Sequence, residues 1–526
     1  MLDAIIRNST LFGLEGDESR KIDLGIKDGL IAKIGNMEEE AERVIDAGGR
    51  YTMPGFVDVH SHSDYYLLID PRAESKVMQG VTTEIGGNCG YSSNPIGGEI
   101  QKIRGETFKE QYGLDLDWHD FSQYFKRLEK GGTSVNFAGL IGYNTLRASI
   151  LGLSDIEMQN GVREKMEKTI KDNLDQGAAG MSVGLVYPPA CFASMDEVAG
   201  MVSHVKKADK IFTTHIRSEG AQLEESIEEV IEIARRTGVK LQISHLKTAG
   251  KENWQKLDSI IETIEKARAQ GLDIGCDRYP YTASNTGLQV LLPDWAFDGG
   301  RDAVLERLAD RSTRKKLTEE ILKNHPEPGY WESVMIAQVV SNKNLHTQGK
   351  TVAQAADEAG KNVFDFILDL LLEEKTEVEA IYFCMNESNM DRIIVKDYVI
   401  IGSDSGARTL SGPLGDGHPH PRTFGTFPRF FRDYVFDRKL IPMREAVRKT
   451  STAACERYGI KKRGRLMEGF HADIVVMDPK KVADRSTYEK PLSYPAGIEY
   501  LFVNGVLTLD SGKHTGVTAG RGLEIH

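Results

Sequence analysis

The sequence predicts an α/β protein: a closed (β/α)8 metal-dependent hydrolase barrel of the TIM type, with a small β-sandwich built from both chain ends. Three observations lead there. Across 53–466, short β-branched runs alternate with longer charged segments of helical period, such as 224–236 and 253–270, the texture of repeated β/α units. Eight candidate strands start near Gly55, Val81, Val135, Ala179, Ile211, Leu241, Asp273 and Val399, the number a closed barrel requires. At both ends the texture changes to tight apolar runs punctuated by Gly, Asp and Asn. A doubly wound open sheet is the rival arrangement.

Residues 1–52 contain Asp3-Ala4-Ile5-Ile6-Arg7, Asp23-Leu24-Gly25-Ile26 and Leu30-Ile31-Ala32-Lys33-Ile34, which read as antiparallel strands. Residues 467–526 repeat that pattern, and Asn504-Gly505 suits a two-residue hairpin turn. Neither piece is large enough for a core of its own, so the two are expected to pair. The stretch between Tyr281 and Val399 is too long for one βα loop. It carries helical periods at 303–322 and 352–374, and an insertion over the barrel mouth is expected within about 285–350.

The chain has 526 residues, with 66 Lys+Arg against 78 Asp+Glu and a net charge of -12, which argues against a nucleic-acid partner. No apolar run approaches the ~20 residues that cross a bilayer, and the N-terminus lacks the basic start and apolar stretch of a signal peptide. The expectation is a cytoplasmic protein with no membrane partner. Cysteines 89, 191, 276, 384 and 455, odd in number and not closely paired, do not describe a disulfide framework. Oligomeric state is not legible, and a homo-oligomer is allowed.

Of 13 histidines, His60, His62, His215 and His245 fall at the ends of candidate strands. In a closed barrel such ends surround one mouth, so residues far apart in sequence converge there. His60 and His62, two apart, face the same side of an extended strand. Asp404 follows the last strand, and Cys89 follows the second among Gly86, Gly87 and Gly90. A single strand-end histidine is more often structural than a ligand. Four of them, with a thiol and a carboxylate, make the donor set zinc prefers. No Gly-x-Ser-x-Gly elbow precedes a helix, and the Gly-rich stretches do not match nucleotide-cradle spacing.

Pro54-Gly55-Phe56-Val57-Asp58-Val59-His60-Ser61-His62 resembles the opening metal motif of the amidohydrolase superfamily. Gly87-Asn88-Cys89-Gly90, Gly184-Leu185-Val186-Tyr187-Pro188-Pro189, His215-Ile216-Arg217-Ser218-Glu219, Ser244-His245-Leu246-Lys247, Tyr279-Pro280-Tyr281-Thr282-Ala283-Ser284 and Gly402-Ser403-Asp404 narrow the resemblance to the N-acyl-D-amino-acid deacylases. It runs over essentially the whole chain. The resemblance implies hydrolysis of a small-molecule N-acyl-D-amino acid. It implies a tightly bound Zn2+ held by Cys89, His215 and His245, with His60, His62 and Asp404 lining a second position that is weakly occupied or empty.

For such a reaction Asp404, at the last strand end, is the candidate for moving the proton from water to the departing amine, and Tyr187 or a nearby backbone N–H for meeting the charge on the carbonyl oxygen; by the same resemblance Lys247, Tyr281 and Ser284 clamp the α-carboxylate. Arg217 and Arg408 are candidates for reading an acidic side chain, and Glu219 is a nearby charge without a firm role. One departure stands out: Gly142-Tyr143 replaces the Gly-His that often precedes Thr-Leu-Arg in relatives. Two other readings stay open, a cyclic-amide hydrolase of the hydantoinase or dihydroorotase type and a metal-free scaffold on the same fold.

Overall fold

The computed structural model describes residues 1–16, 19–327 and 329–526. Its centre is a ring of eight parallel strands, β1 (Phe56–Asp58), β2 (Val81–Gly86), β3 (Asn136–Gly142), β4 (Gly180–Gly184), β5 (Ile211–His215), β6 (Lys240–Ile243), β7 (Ile274–Arg278) and β8 (Val399–Ile401), paired in sequence order. The open sheet is excluded at the seam. Asp404 N donates to His60 O at 2.8 Å and Ser61 bridges Ser405 in parallel, so the first and last strands meet. Strands buried on both faces read as near-continuous apolar runs, and amphipathic helices such as Leu223–Thr237 cover them with Val230, Ile231 and Ala234.

The barrel interior is not wholly apolar. Lys76, with no exposed surface, reaches Asp58 Oδ2 at 2.7 Å, Glu84 Oε1 at 3.1 Å, Ser403 Oγ at 2.9 Å and the Ser405 carbonyl at 2.8 Å. These contacts join β1, β2 and the turn after β8 directly beside His60 and Asp404.

Both chain ends build the sandwich. One sheet has the order Leu30–Gly35, Asp23–Lys27, Leu2–Arg7, Ala41–Asp46. The other joins the C-terminal strands Val506–Asp510, Ile498–Val503 and Ile474–Met477 to the N-terminal strands Tyr51–Pro54 and Thr10–Leu11, the two halves meeting where Ile474–Met477 pairs with Tyr51–Pro54. Ile6, Leu24, Ile474 and Phe502 share the core between them. The Asn504-Gly505 turn has φ of 50° and 79°, the two left-handed positions that a tight hairpin demands. The end of the chain behaves differently from a sandwich strand. It leaves for the barrel, where Phe137 N donates to Arg521 O at 2.9 Å and Leu523 N to Phe137 O at 2.7 Å.

Between β7 and β8 lies an insertion with its own antiparallel sheet, Ser284–Gly287, Glu379–Tyr382 and Val334–Gln338, and its own core around Leu308, Ile321, Ile336, Ile367 and Leu371. The middle strand is the last in sequence, so this unit extends to Tyr382, past the 285–350 expected from sequence. The helical periods at 303–322 and 352–374 belong to it, and the helix that precedes β8 is Glu387–Ile394.

Candidate metal centre

The ligand candidates converge because each follows the C-terminal end of a barrel strand. Two groups of donor atoms form, His60, His62, Cys89 and Asp404 in one and Cys89, His215 and His245 in the other, with all atoms of a group within 4.8 Å of one another. Cys89 belongs to both. Its Sγ lies 3.2 Å from His60 Nε2 and 3.5 Å from His245 Nε2, while Asp404 Oδ1 lies 3.2 Å from His62 Nε2 and 3.4 Å from His60 Nε2.

Backbone strain marks the same residues. Cys89, His245 and Asp404 adopt φ of 52°, 35° and 53°, left-handed values that side-chain-bearing residues rarely take and that cluster at functional sites. The turn holding Cys89 is made possible by Gly90. With φ of 77°, a Cβ there would lie 1.7 Å from Asn144 Oδ1.

The electrostatics favour the charged form of the thiol and the carboxyl. Burial opposes ionisation of Cys89, yet His60 and the hydrogen bonds from His215 and His245 hold its thiol well below the usual range. Burial likewise opposes ionisation of Asp404, and the Arg422 guanidinium, with Nη1 2.7 Å from Asp404 Oδ2, together with His60 holds the carboxyl well below its usual range. A thiolate, a carboxylate and imidazoles facing one point fit zinc. The buried Nδ1 of His215 has no hydrogen-bond partner among the described residues, which leaves it open to serve as a ligand.

Two carboxylates behind the ligands orient them. His60 Nδ1 donates to Asp277 Oδ1 at 2.9 Å, which leaves Nε2 facing the cluster, and the same oxygen accepts from the His245 backbone N–H at 2.8 Å. Glu219 Oε1 lies 2.9 Å from His245 Nδ1 and forms a buried ion pair with Lys247. Burial opposes the Glu219 charge, and Lys247, His215 and His245 together more than offset it.

The centre opens into a cavity of about 1110 Å³ roofed by the insertion. Tyr187, Lys247 and Ser284 lie on its wall. Tyr187 OH and Thr286 Oγ1 are 2.8 Å apart, and burial and the neighbouring Cys89 push the phenol well above its ordinary pKa, so it stays protonated. Ser284 Oγ lies 3.6 Å from Cys384 Sγ. Tyr281, expected on the α-carboxylate, is not among the residues that line the cavity. Its hydroxyl donates to Asp484 Oδ2 at 3.2 Å and the Arg429 guanidinium stacks on its ring, so a C-terminal loop supplies its hydrogen-bond partner. Tyr143 is also remote from the mouth. It is fully buried and donates to Glu197, which Arg147 neutralises at 3.0 Å.

Sequence reasoning missed Asp277 and Arg422. Asp277 carried a signal, as a charged residue directly after the apolar Ile274-Gly275-Cys276 of β7. Arg422 follows Pro419-His420-Pro421, a rigid segment close after Asp404.

The fold and the centre define a metal-dependent hydrolase barrel. The amidohydrolase family model matches residues 43–315. The chain is 33% identical over 509 residues, 96% of its length and 93% of the relative's, to the N-acyl-D-glutamate deacylase of Alcaligenes xylosoxydans xylosoxydans. It is 32% identical to the D-aminoacylase of the same organism over 99% of this chain and 97% of that one. The crystal structure of the N-acyl-D-glutamate deacylase of Bordetella bronchiseptica, complexed with zinc and a phosphonate inhibitor, superposes with a TM-score of 0.84 at 28% identity, covering 99% of each chain. The chain belongs to the amidohydrolase family, in its N-acyl-D-amino-acid deacylase (D-aminoacylase) branch.

Proposed function

We propose that the protein hydrolyses the amide bond of N-acyl-D-amino acids with the help of Zn2+, releasing a carboxylate and the free D-amino acid. The observation that carries this is the shared Cys89 Sγ. It stands where two donor groups meet, in a chain whose relatives are named as N-acyl-D-glutamate deacylase and D-aminoacylase. In a hydantoinase-type site a carboxylated lysine would take that place. Here the barrel lysines Lys76 and Lys247 are both held by carboxylates.

Cys89, His215 and His245 would hold the tightly bound ion, with His60, His62 and Asp404 beside it. Bound there, zinc supplies Lewis acidity, lowering the pKa of water from 15.7 to roughly 7 and polarising the carbonyl. Asp404, kept ionised by Arg422, is the proton acceptor and passes the proton to the leaving nitrogen. Tyr187, a protonated phenol on the wall beside His215, donates to the carbonyl oxygen as negative charge grows on it. For the α-carboxylate, Lys247 and Ser284 lie on the cavity wall, and Arg422, ion-paired with Asp404, adds a buried cation beside them. The five free thiols suit a reducing compartment, in keeping with the cytoplasm.

The test is turnover of N-acetyl-D- and N-acetyl-L-amino acids by zinc-loaded protein, with formyl and succinyl variants and a hydantoin as the cyclic control. Release of D-amino acids alone is expected. Exclusive turnover of L substrates, or of the hydantoin, would sink the reading.

A further inference from the structure

The insertion supplies one wall of the cavity, with Asn285, Thr286, Val290, Leu291, Glu379 and Phe383 on it. A receptor for an acidic side chain would place a spare cation there. Every arginine on the cavity wall is already engaged, and so is Lys247. Lys247 is held by Glu219 and Arg422 by Asp404. Arg217 grips Glu229 through Nε at 3.1 Å and Nη2 at 3.0 Å, and its Nη1 donates to Cys191 O at 2.9 Å. Arg408 spends one terminal nitrogen on Asp416 O at 2.8 Å and the other on Gln338 Oε1, tying the turn after β8 to the insertion strand Val334–Gln338. To take a substrate carboxylate it would have to release that strand. Lys251 and Lys323 on the same wall are exposed and solvated.

Glu379 is the reverse case. It faces the cavity, has no ion-pair partner among the described residues, and its carboxylate accepts only from Asn285 Nδ2, at 3.0 Å. Asn285 O in turn accepts from Arg422 Nη2 at 3.3 Å, so Glu379 stands one residue beyond the cation beside Asp404.

We propose that this wall selects neutral D side chains and turns acidic ones away, with Glu379 as the specificity-determining residue. The proposal rests on the deacylase reading and narrows its substrate class to N-acyl-D-amino acids with apolar or amide side chains. The cause is repulsion between two carboxylates on a wall whose arginines already have acceptors and whose lysines, Lys251 and Lys323, are solvated rather than held in place.

The experiment compares kcat/KM for N-acetyl-D-glutamine, N-acetyl-D-glutamate and N-acetyl-D-leucine in zinc-loaded wild type, Glu379→Gln and Arg408→Gln, with thermal melting to establish that each variant folds. Glutamine and leucine derivatives are expected to exceed the glutamate derivative by about tenfold or more, and Glu379→Gln to narrow the glutamine-to-glutamate ratio by about fivefold. A wild-type preference for glutamate, a ratio that Glu379→Gln leaves in place, or a selective loss of glutamate turnover in Arg408→Gln overturns the proposal and leaves the deacylase reading standing. No turnover of any N-acyl-D-amino acid removes both.

Discussion

Asp277 Oδ1 lies 2.9 Å from His60 Nδ1, and the same oxygen holds the strained backbone of His245 at 2.8 Å. One carboxylate inside β7 thus fixes a ring in the first donor group and the chain at the second. Asp277→Ala is expected to weaken zinc binding about 10–100-fold, as loss of groups that orient metal-ligating histidines does elsewhere. Titration of the resting protein against a competing chelator reads this directly. Unchanged affinity would mean that packing alone orients the rings.

Cys89 is common to both donor groups, so its loss should strip the centre more completely than loss of a peripheral ligand. Cys89→Ala is expected to purify with little or no zinc, whereas His62→Ala, on the side away from His215 and His245, keeps close to one ion per chain. Elemental analysis after gel filtration distinguishes the two. Equal retention would deny the thiol its shared role.

The Lys76 cluster makes a stability prediction. Its ammonium is fully buried among Asp58, Glu84 and two serine residues, and removing it strands two carboxylates in the barrel. Lys76→Met should cost about 3–5 kcal/mol, the scale on which half-broken buried ion pairs destabilise. Urea unfolding would report it, and a loss below about 1 kcal/mol would show that water reaches the vacated space.

Within the insertion, Glu374 accepts from Val340 N at 2.7 Å, Ser341 N at 2.8 Å, Asn344 Nδ2 at 2.6 Å and the Ser341 hydroxyl. Burial opposes its charge, but these bonds to Ser341, Asn344 and Val340 win and lower its pKa below 4.5. A depressed carboxyl contributes stability above its unfolded pKa and loses it as pH falls through the folded value. Glu374→Gln is therefore expected to cost about 1–3 kcal/mol at pH 7, with the gap to wild type closing as pH drops below 4.5. A pH-independent gap would point to a shape effect.

The eight strand starts were legible because parallel barrel strands, buried on both faces, must be short apolar runs between helical periods. The ligands at their ends followed, since chain direction alone fixes which end of such a strand faces the mouth. The extent of the insertion was not legible. Its middle strand, Glu379–Tyr382, pairs with segments far away in the chain, and no local period records such pairing. Tyr281 shows the same limit at the scale of one side chain. Its partner Asp484 lies 203 residues further on.

By itself the sequence determined the barrel, the strand-end donor set and the family, because these rest on local alternation and on short motifs. Only the tertiary structure decided that Asp277 and Glu219 orient the rings, that Arg422 keeps Asp404 ionised, that Arg217 and Arg408 are already engaged, and that Glu379 faces the cavity with no ion-pair partner among the described residues. The physical reason is that charge pairing depends on distance through space, and residues that neutralise one another here come from different strands, loops and the insertion.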